Sequence, residues 1–140
     1  MGSNSQSNWR SGCPLNVALE IFGDRWTLLI LRDLMFKRFS TFRQFQESGE
    51  GIATNILSDR LKKLQDQGII AGRRSTSDAR VIEYRPTAKG LDLLPVLIEM
   101  IVWAARYEQT AAPVKILRRM TNDREVMVRE IRERFGESNS

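Results

Sequence analysis

The sequence contains no histidine and a single cysteine, Cys13. An intramolecular disulfide is impossible, and so is a zinc site built from the cysteines and histidines of one chain. Catalytic triads and dyads that route a proton through imidazole are excluded as well. Gly49 and Gly51 flank Glu50 in a short turn. They lack the strand, lysine and Ser/Thr of a phosphate-cradling loop. The apolar stretches are too short to span a bilayer. No two carboxylates stand out as a pair in an apolar setting. Nothing therefore supports an enzyme, a metal centre or a cofactor.

What is present fits one packed domain: 140 residues, 41% of them hydrophobic. The opening "MGSNSQSNWR" has no apolar core and reads as the bulk of a disordered arm over residues 1–12. Without a secretory signal, the default compartment is the cytoplasm. The net charge is +5, and residues 53–89 hold eight basic residues against four acidic ones. Such clustering is the electrostatic footprint of a polyanion binder, although a solubilising surface would look the same on charge alone.

The pattern along the chain is mainly helical. Pro14 suits the first position of a helix "PLNVALEIF", and Gly23 ends it. Asp24 can cap the next helix, "RWTLLILRDLMFK", which is apolar nearly all round and belongs in the middle of a core. Ser40 can cap a short third helix, "TFRQFQES", with Phe39, Phe42 and Phe45 packing inward. After the turn "GEG" a fourth helix runs from Ala53 to Gln67, with Gly68 where a terminating glycine is expected. "IIAGRRS" and "RVIEYRP", joined by "TSDA", read as a β-hairpin with Pro86 at a strand end or edge. "TAKGLDLLPVLIEMIVWAARYEQ" is mostly one long helix, kinked or started by Pro95. Pro113 breaks it, and "TNDREVMVREIRERFG" is the last helix, with Thr121 as its candidate cap. Short helix, turn, helix, hairpin is the order of a winged helix-turn-helix, whose second helix enters the major groove.

On a helical wheel "TNILSDRLKKL" (54–64) divides in two. Leu57, Leu61 and Leu64 gather on one side; Asn55, Ser58, Asp59, Lys62 and Asp66 gather opposite. Thr54 and Arg60 fall on the flanks. Asn can pair with adenine edges, Ser and Thr with base or phosphate, and Lys with guanine or phosphate. The amides at the helix start also attract phosphate. Any surface helix shows such residues, and Asp59 opposes DNA unless it accepts from a cytosine or pairs with Lys62 or Lys63. The hairpin adds Arg73, Arg74 and Arg80, with Asp78 placed to brace Arg80. Arginine in a narrow minor groove gains from its negative potential. Arg43 on the third helix is a candidate phosphate clamp. Against this stands an ordinary solvated hairpin whose ion pairs contribute little.

The chain resembles the HxlR-type winged-helix transcriptional regulators, relatives of the MarR-like group. "CPLNVALEIFGDRWTLLILRDL", "FSTFRQFQE", "GIATNILSDRLKKLQDQGII" and "EYRPTAKGLDLLPVL" carry the resemblance over residues 13–107. It implies a homodimeric regulator that binds double-stranded DNA, with helices outside the winged core forming the dimer interface. Leu94, Leu97, Ile101 and Trp103 would contribute from the long helix, and Met127, Ile131 and Phe135 from the last one. Two positions depart from the family. Ala53 stands where Ser or Thr is frequent, so Thr54 becomes an alternative cap, and Pro86 replaces the usual leucine before "TxxG". Cys13 matches an N-terminal cysteine that senses oxidants or electrophiles in some members. A helix start with Arg10 nearby in sequence favours a reactive thiol there; the alternative is a small buried residue beside the dimer interface.

The expected organisation is an arm (1–12), a winged-helix domain with a long dimerisation helix (13–112), and a C-terminal helix with a tail (113–140). The expected function is sequence-specific DNA binding by a homodimer, responsive to oxidants or electrophiles, without membrane association. Two readings compete. One is a helical protein-interaction module whose basic face meets an acidic partner. The other is a small-molecule sensor with a pocket near Trp26, Trp103 and Tyr107, residues that at helical spacing are more often plain core.

Overall fold

The most apolar segment lies at the centre. In the computed structural model, which describes residues 8–136, helix α2 (Thr27–Met35) buries Ile30, Leu31, Leu34 and Met35. Before it comes α1 (Pro14–Phe22), started by Pro14 as expected and without a single fully buried residue. Asp24 caps α2. Its carboxylate accepts from the backbone N–H groups of Trp26 and Thr27 and from the Thr27 hydroxyl. The expected arm over 1–12 lies partly outside the described residues. Its described end is tied down, because the Arg10 amide donates to Glu20 and its guanidinium to Asn16.

Helix α3 (Phe42–Gln46) is capped one residue later than expected. Thr41, not Ser40, accepts from the Gln44 amide, while the Gln44 side chain accepts from the Ser40 and Thr41 amides. This reciprocal box outcompetes Ser40 because Gln44 stands three residues after Thr41. Of the three phenylalanines Phe45 is buried, while Phe39 and Phe42 are half-buried against the same core. Helix α4 (Thr54–Asp66) then places Leu57, Leu61 and Leu64 in that core. It ends in a Schellman arrangement: Gly68 has φ 72°, its amide donates to the Gln65 carbonyl and the Ile69 amide to the Leu64 carbonyl.

Strands β1 (Ile70–Arg74) and β2 (Ile82–Pro86) pair antiparallel, from Ile70 opposite Pro86 to Arg74 opposite Ile82. Pro86 is thus the last residue of its strand. A third edge is not legible in the sequence: Thr41 bridges Glu83, and the Tyr84 amide donates to the Ser40 carbonyl at 2.7 Å. The hairpin is thereby held to the start of α3 as well as to the end of α4.

The "TAKG" that follows fastens α4. The Thr87 hydroxyl lies 2.6 Å from the Gly68 carbonyl, the Thr87 amide donates to Ile69, and the Lys89 ammonium donates to Gln67 at 2.7 Å. These carbonyls lie just past the helix end, where they need partners. Gly90, in the short helix α5 (Ala88–Leu91), passes so close that a Cβ there would sit 2.2 Å from the Ile69 carbonyl oxygen. Only glycine allows that approach without displacing the strand.

The expected long helix is divided into α5 and α6 (Leu94–Tyr107), with Pro95 in the first turn of α6. The C-terminal region holds two helices, not one: α7 (Val114–Asn122) and α8 (Arg124–Arg134). Thr121 is no cap. It lies inside α7 and its hydroxyl donates to the Leu117 carbonyl. Met120, Met127 and Ile131 join the same apolar cluster as α2 and α6, so these helices belong to the body of the fold.

One ion pair ties the start of α2 to α4: Arg60 Nε lies 2.9 Å from Asp24 Oδ2. Burial opposes the Asp24 charge, but the Thr27 hydroxyl, Arg60 and two backbone amides overcome it and lower the pKa from 3.8 to about 2. A carboxyl depressed in the fold stabilises it above its unfolded pKa, and that contribution disappears as pH falls through the folded value. Allowing for solvent screening, Asp24→Asn should cost roughly 1–2 kcal/mol at neutral pH. The difference from wild type should shrink between pH 3.8 and about 2 in urea unfolding. A difference that stays constant over that range would show that the carboxylate charge does not stabilise the fold.

Candidate nucleic-acid interface

The outward face of α4 is released from packing by its own leucines. Asn55, Ser58, Asp59 and Lys62 are exposed, as the wheel predicts. Among the described residues the Asn55 and Ser58 side chains form no hydrogen bond, so both keep their donors and acceptors free. Ala53 occupies the cap position and offers no side-chain acceptor to the first turn. The amides there stay open to an anion.

Thr54 neither caps nor stands free. It is the first helical residue, and its hydroxyl accepts from Gln46 Nε2 at 2.8 Å. Gln46 therefore joins α3 to the start of α4, a role that no local spacing announces. Asp59 is taken up by its neighbours: Arg60 Nη1 lies 2.6 Å away and Lys63 Nζ 3.6 Å away. Lys62 pairs instead with Asp66 at 3.1 Å. Arg60 reaches both Asp24 and Asp59, and Asp24 is the first cause that holds its guanidinium above the ordinary range.

Arg43 lies exposed on α3 and pairs with Glu47 at 3.3 Å. On the hairpin Arg73 and Arg74 are both exposed. Adjacent strand residues point to opposite faces, so one groove cannot take both in the same way. Arg74 is occupied in shaping the tip, donating to the Ala79 carbonyl at 2.7 Å. Arg80 has a side chain 90% exposed and contacts Asp78 at 3.1 Å. The Asp78 carboxylate also accepts from the Arg80 amide, and these Arg80 contacts hold its pKa below the usual range. The bracing expected from the sequence is therefore present. These exposed pairs are individually weak in water, so a phosphate can replace the acid at little cost.

Upstream, Arg32 on α2 donates to the buried Asp33 through Nε and Nη2 and to Glu50 through Nη1 at 2.9 Å. Burial opposes the Arg32 charge, yet Glu50 and Asp33 outweigh it and raise the pKa. The turn that delivers the chain to α4 is thus tied to α2.

The expected interface residues need revision. Leu94, Leu97, Met127 and Ile131 are buried within this chain's own core, and Ile101 and Phe135 pack against it. Burial leaves Leu94, Leu97, Met127 and Ile131 no surface to offer a second subunit, while Ile101 and Phe135 keep part of theirs. Trp103 stays available at 58% exposure and stacks on Tyr107 with ring centres 5.7 Å apart. Leu15, Leu19, Met100 and Val114 are further exposed apolar side chains. Cys13 is exposed at the cap of α1, and Arg10 is turned to Asn16.

Comparison with known proteins bears on this arrangement. Residues 21–112 match the HxlR-like helix-turn-helix family. An uncharacterized HTH-type transcriptional regulator of Mycobacterium tuberculosis is 35% identical over 120 residues, covering 83% of this chain and 73% of that one. The candidate transcription factor PA1607 superposes with a TM-score of 0.67 at 34% identity, over 76% of this chain and 73% of that one. The quinone-bound YodB of Bacillus subtilis superposes with a TM-score of 0.54 at 31% identity, over 68% and 99%.

Proposed function

This chain belongs to the HxlR-like helix-turn-helix family and is a transcriptional regulator, and from that premise we propose that it acts as a homodimer reading a specific duplex sequence with α4. The observation that carries the reading is the division of α4. Three leucines fix it in the core, while Asn55 and Ser58 face outward with their hydrogen-bonding groups unspent. Asn55 would read a base edge in the major groove, and Ser58 a base or phosphate. Arg43, Lys62 and Lys63 would exchange their present acids for phosphates. Arg80 would enter or flank the minor groove as the wing residue, with Arg73 and Arg74 beside it. Thr54, held by Gln46, would present its remaining capacity to the backbone.

Two such helices related by a two-fold axis favour a pseudo-palindrome with half-sites ~34–36 Å apart or a multiple of that. The dimer surface would use Met100, Trp103 and Tyr107 of α6 with Leu15 and Leu19 of α1 and Val114 of α7. Among the described residues no helix is long and apolar enough to cross a membrane. A cytoplasmic location suits the reading. A basic face that binds an acidic protein in place of DNA would show no preference among duplex sequences.

Quinone-bound and diamide-treated forms of YodB are among the similar structures, and Cys13 is exposed at the head of α1. Electrophile modification of Cys13 would then weaken DNA binding.

Two measurements separate these roles. Arg80→Ala should weaken binding on every duplex and lower the salt slope by ~1 for each phosphate it no longer neutralises, whereas Asn55→Ala should change which duplexes are preferred. An unchanged slope for Arg80→Ala would count against the wing, and a uniform drop in affinity for Asn55→Ala would assign it to the DNA backbone. For the cysteine, wild type should lose affinity under diamide while Cys13→Ser keeps it. Equal loss in both proteins would end the sensor reading.

A further inference from the structure

A cavity of about 460 Å³ opens between α2, α6, α7 and α8, away from the face of α4 that carries the candidate readers. This volume falls in the range of small-molecule sites. Its walls are apolar: Phe36 from α2's end, Ile101 from α6, Ile116 and Met120 from α7, Ile131 from α8. Its charged lining is unequal. Four cations, Arg32, Lys37, Arg119 and Arg134, stand against one carboxylate, Glu130, which is already bonded to Arg119. Arg32 and Lys37 have acids outside the cavity, Glu50 and Asp33.

Arg134 is different. It donates to the Met35 main-chain carbonyl at 3.0 Å, and among the described residues no carboxylate lies within ion-pair distance of it. The residue is exposed overall, but partial burial of its guanidinium and the nearby Arg38 lower its pKa, against the opposing charge of Glu130. A cation in such surroundings gains when an anion approaches. Much of this wall, α7 and α8, lies beyond residue 112, where the family match stops.

We propose that this cavity binds one small amphipathic anion, an aryl or medium-chain carboxylate or sulfonate, with its apolar part among Phe36, Met120 and Ile131 and its charge at Arg134. The apolar walls reward the ring or chain, and the unbalanced cations reject a second positive charge and favour a negative one. Nothing in the site depends on DNA, so it stands or falls separately from the reading of α4.

The test uses the full chain without DNA and follows the fluorescence of anilinonaphthalene sulfonate. Phenylnaphthylamine, the same rings without the charged group, serves as the neutral comparator. Wild type should take up one sulfonate per chain, saturably, and bind the neutral compound about tenfold more weakly. Arg134→Gln should erase most of that preference, and Ile116→Trp, which fills the cavity from its half-open side, should abolish binding of both. Circular dichroism melting checks that each variant folds, and the two variants act on different walls. Equal affinity for charged and neutral probes would overturn the proposal, as would binding unaffected by Ile116→Trp. Binding that fades as protein concentration rises would overturn it in favour of a second copy occupying the cavity.

Discussion

Everything on the candidate DNA-facing surface depends on how firmly α4 is seated. Leu57, Leu61 and Leu64 are buried to within a few per cent, while Asn55, Ser58, Asp59, Lys62 and Lys63 along the same helix face water. Burying three leucines is worth ~1.5–3 kcal/mol each, so the orientation of the outer face is set by packing and not by its own polar contacts. Both ends are fixed as well. At the start Gln46 holds Thr54, and Arg32 holds Glu50 in the preceding turn. At the end the segment Thr87–Gly90 takes up the carbonyls of Gln67, Gly68 and Ile69. A helix fixed at both ends can present short side chains such as Asn55 and Ser58, which leave little tolerance in position.

The electrostatics of the surface follow a second rule: four of the six candidate cations pair with an acid. Lys62 with Asp66, Lys63 with Asp59, Arg43 with Glu47 and Arg80 with Asp78 are all exposed pairs. In water these pairs hold side chains in place loosely. Near a polyanion the same cations are favoured to change partner, and the displaced acids face solvent. Asp59 then has a structural meaning: it holds Arg60 and Lys63 along the helix. Arg60 is the exception among the cations, since its second acid, Asp24, binds the amides at the start of α2 and is part of the fold.

Much of this is legible in the sequence. The 3.6 period of the leucines defines the two faces of α4, Gly68 marks its end, and the turn residues between two strand-forming runs mark the hairpin. The resemblance supplies the identity of the arrangement. What sequence does not supply are contacts set by tertiary geometry. Gln46 and Thr54 are eight residues apart on different helices, and Asp24 and Arg60 are thirty-six apart. The expected interface residues fail for a related reason. Period alone says that Leu94, Leu97, Met127 and Ile131 share an apolar side, and not whether that side faces its own chain or another. The helix at 114–122 is hidden because Pro113 reads as an interruption, while here it occupies the cap position of α7.

In the proposed binding mode the outer face of α4, carried by a dimer, reads sequence. Selection of bound duplexes from a random pool tests it most directly. The expected result is enrichment of two-fold-symmetric sites whose half-sites are ~10 base pairs apart or a multiple of that. A pool that binds in proportion to salt alone, with no sequence enriched, would contradict it.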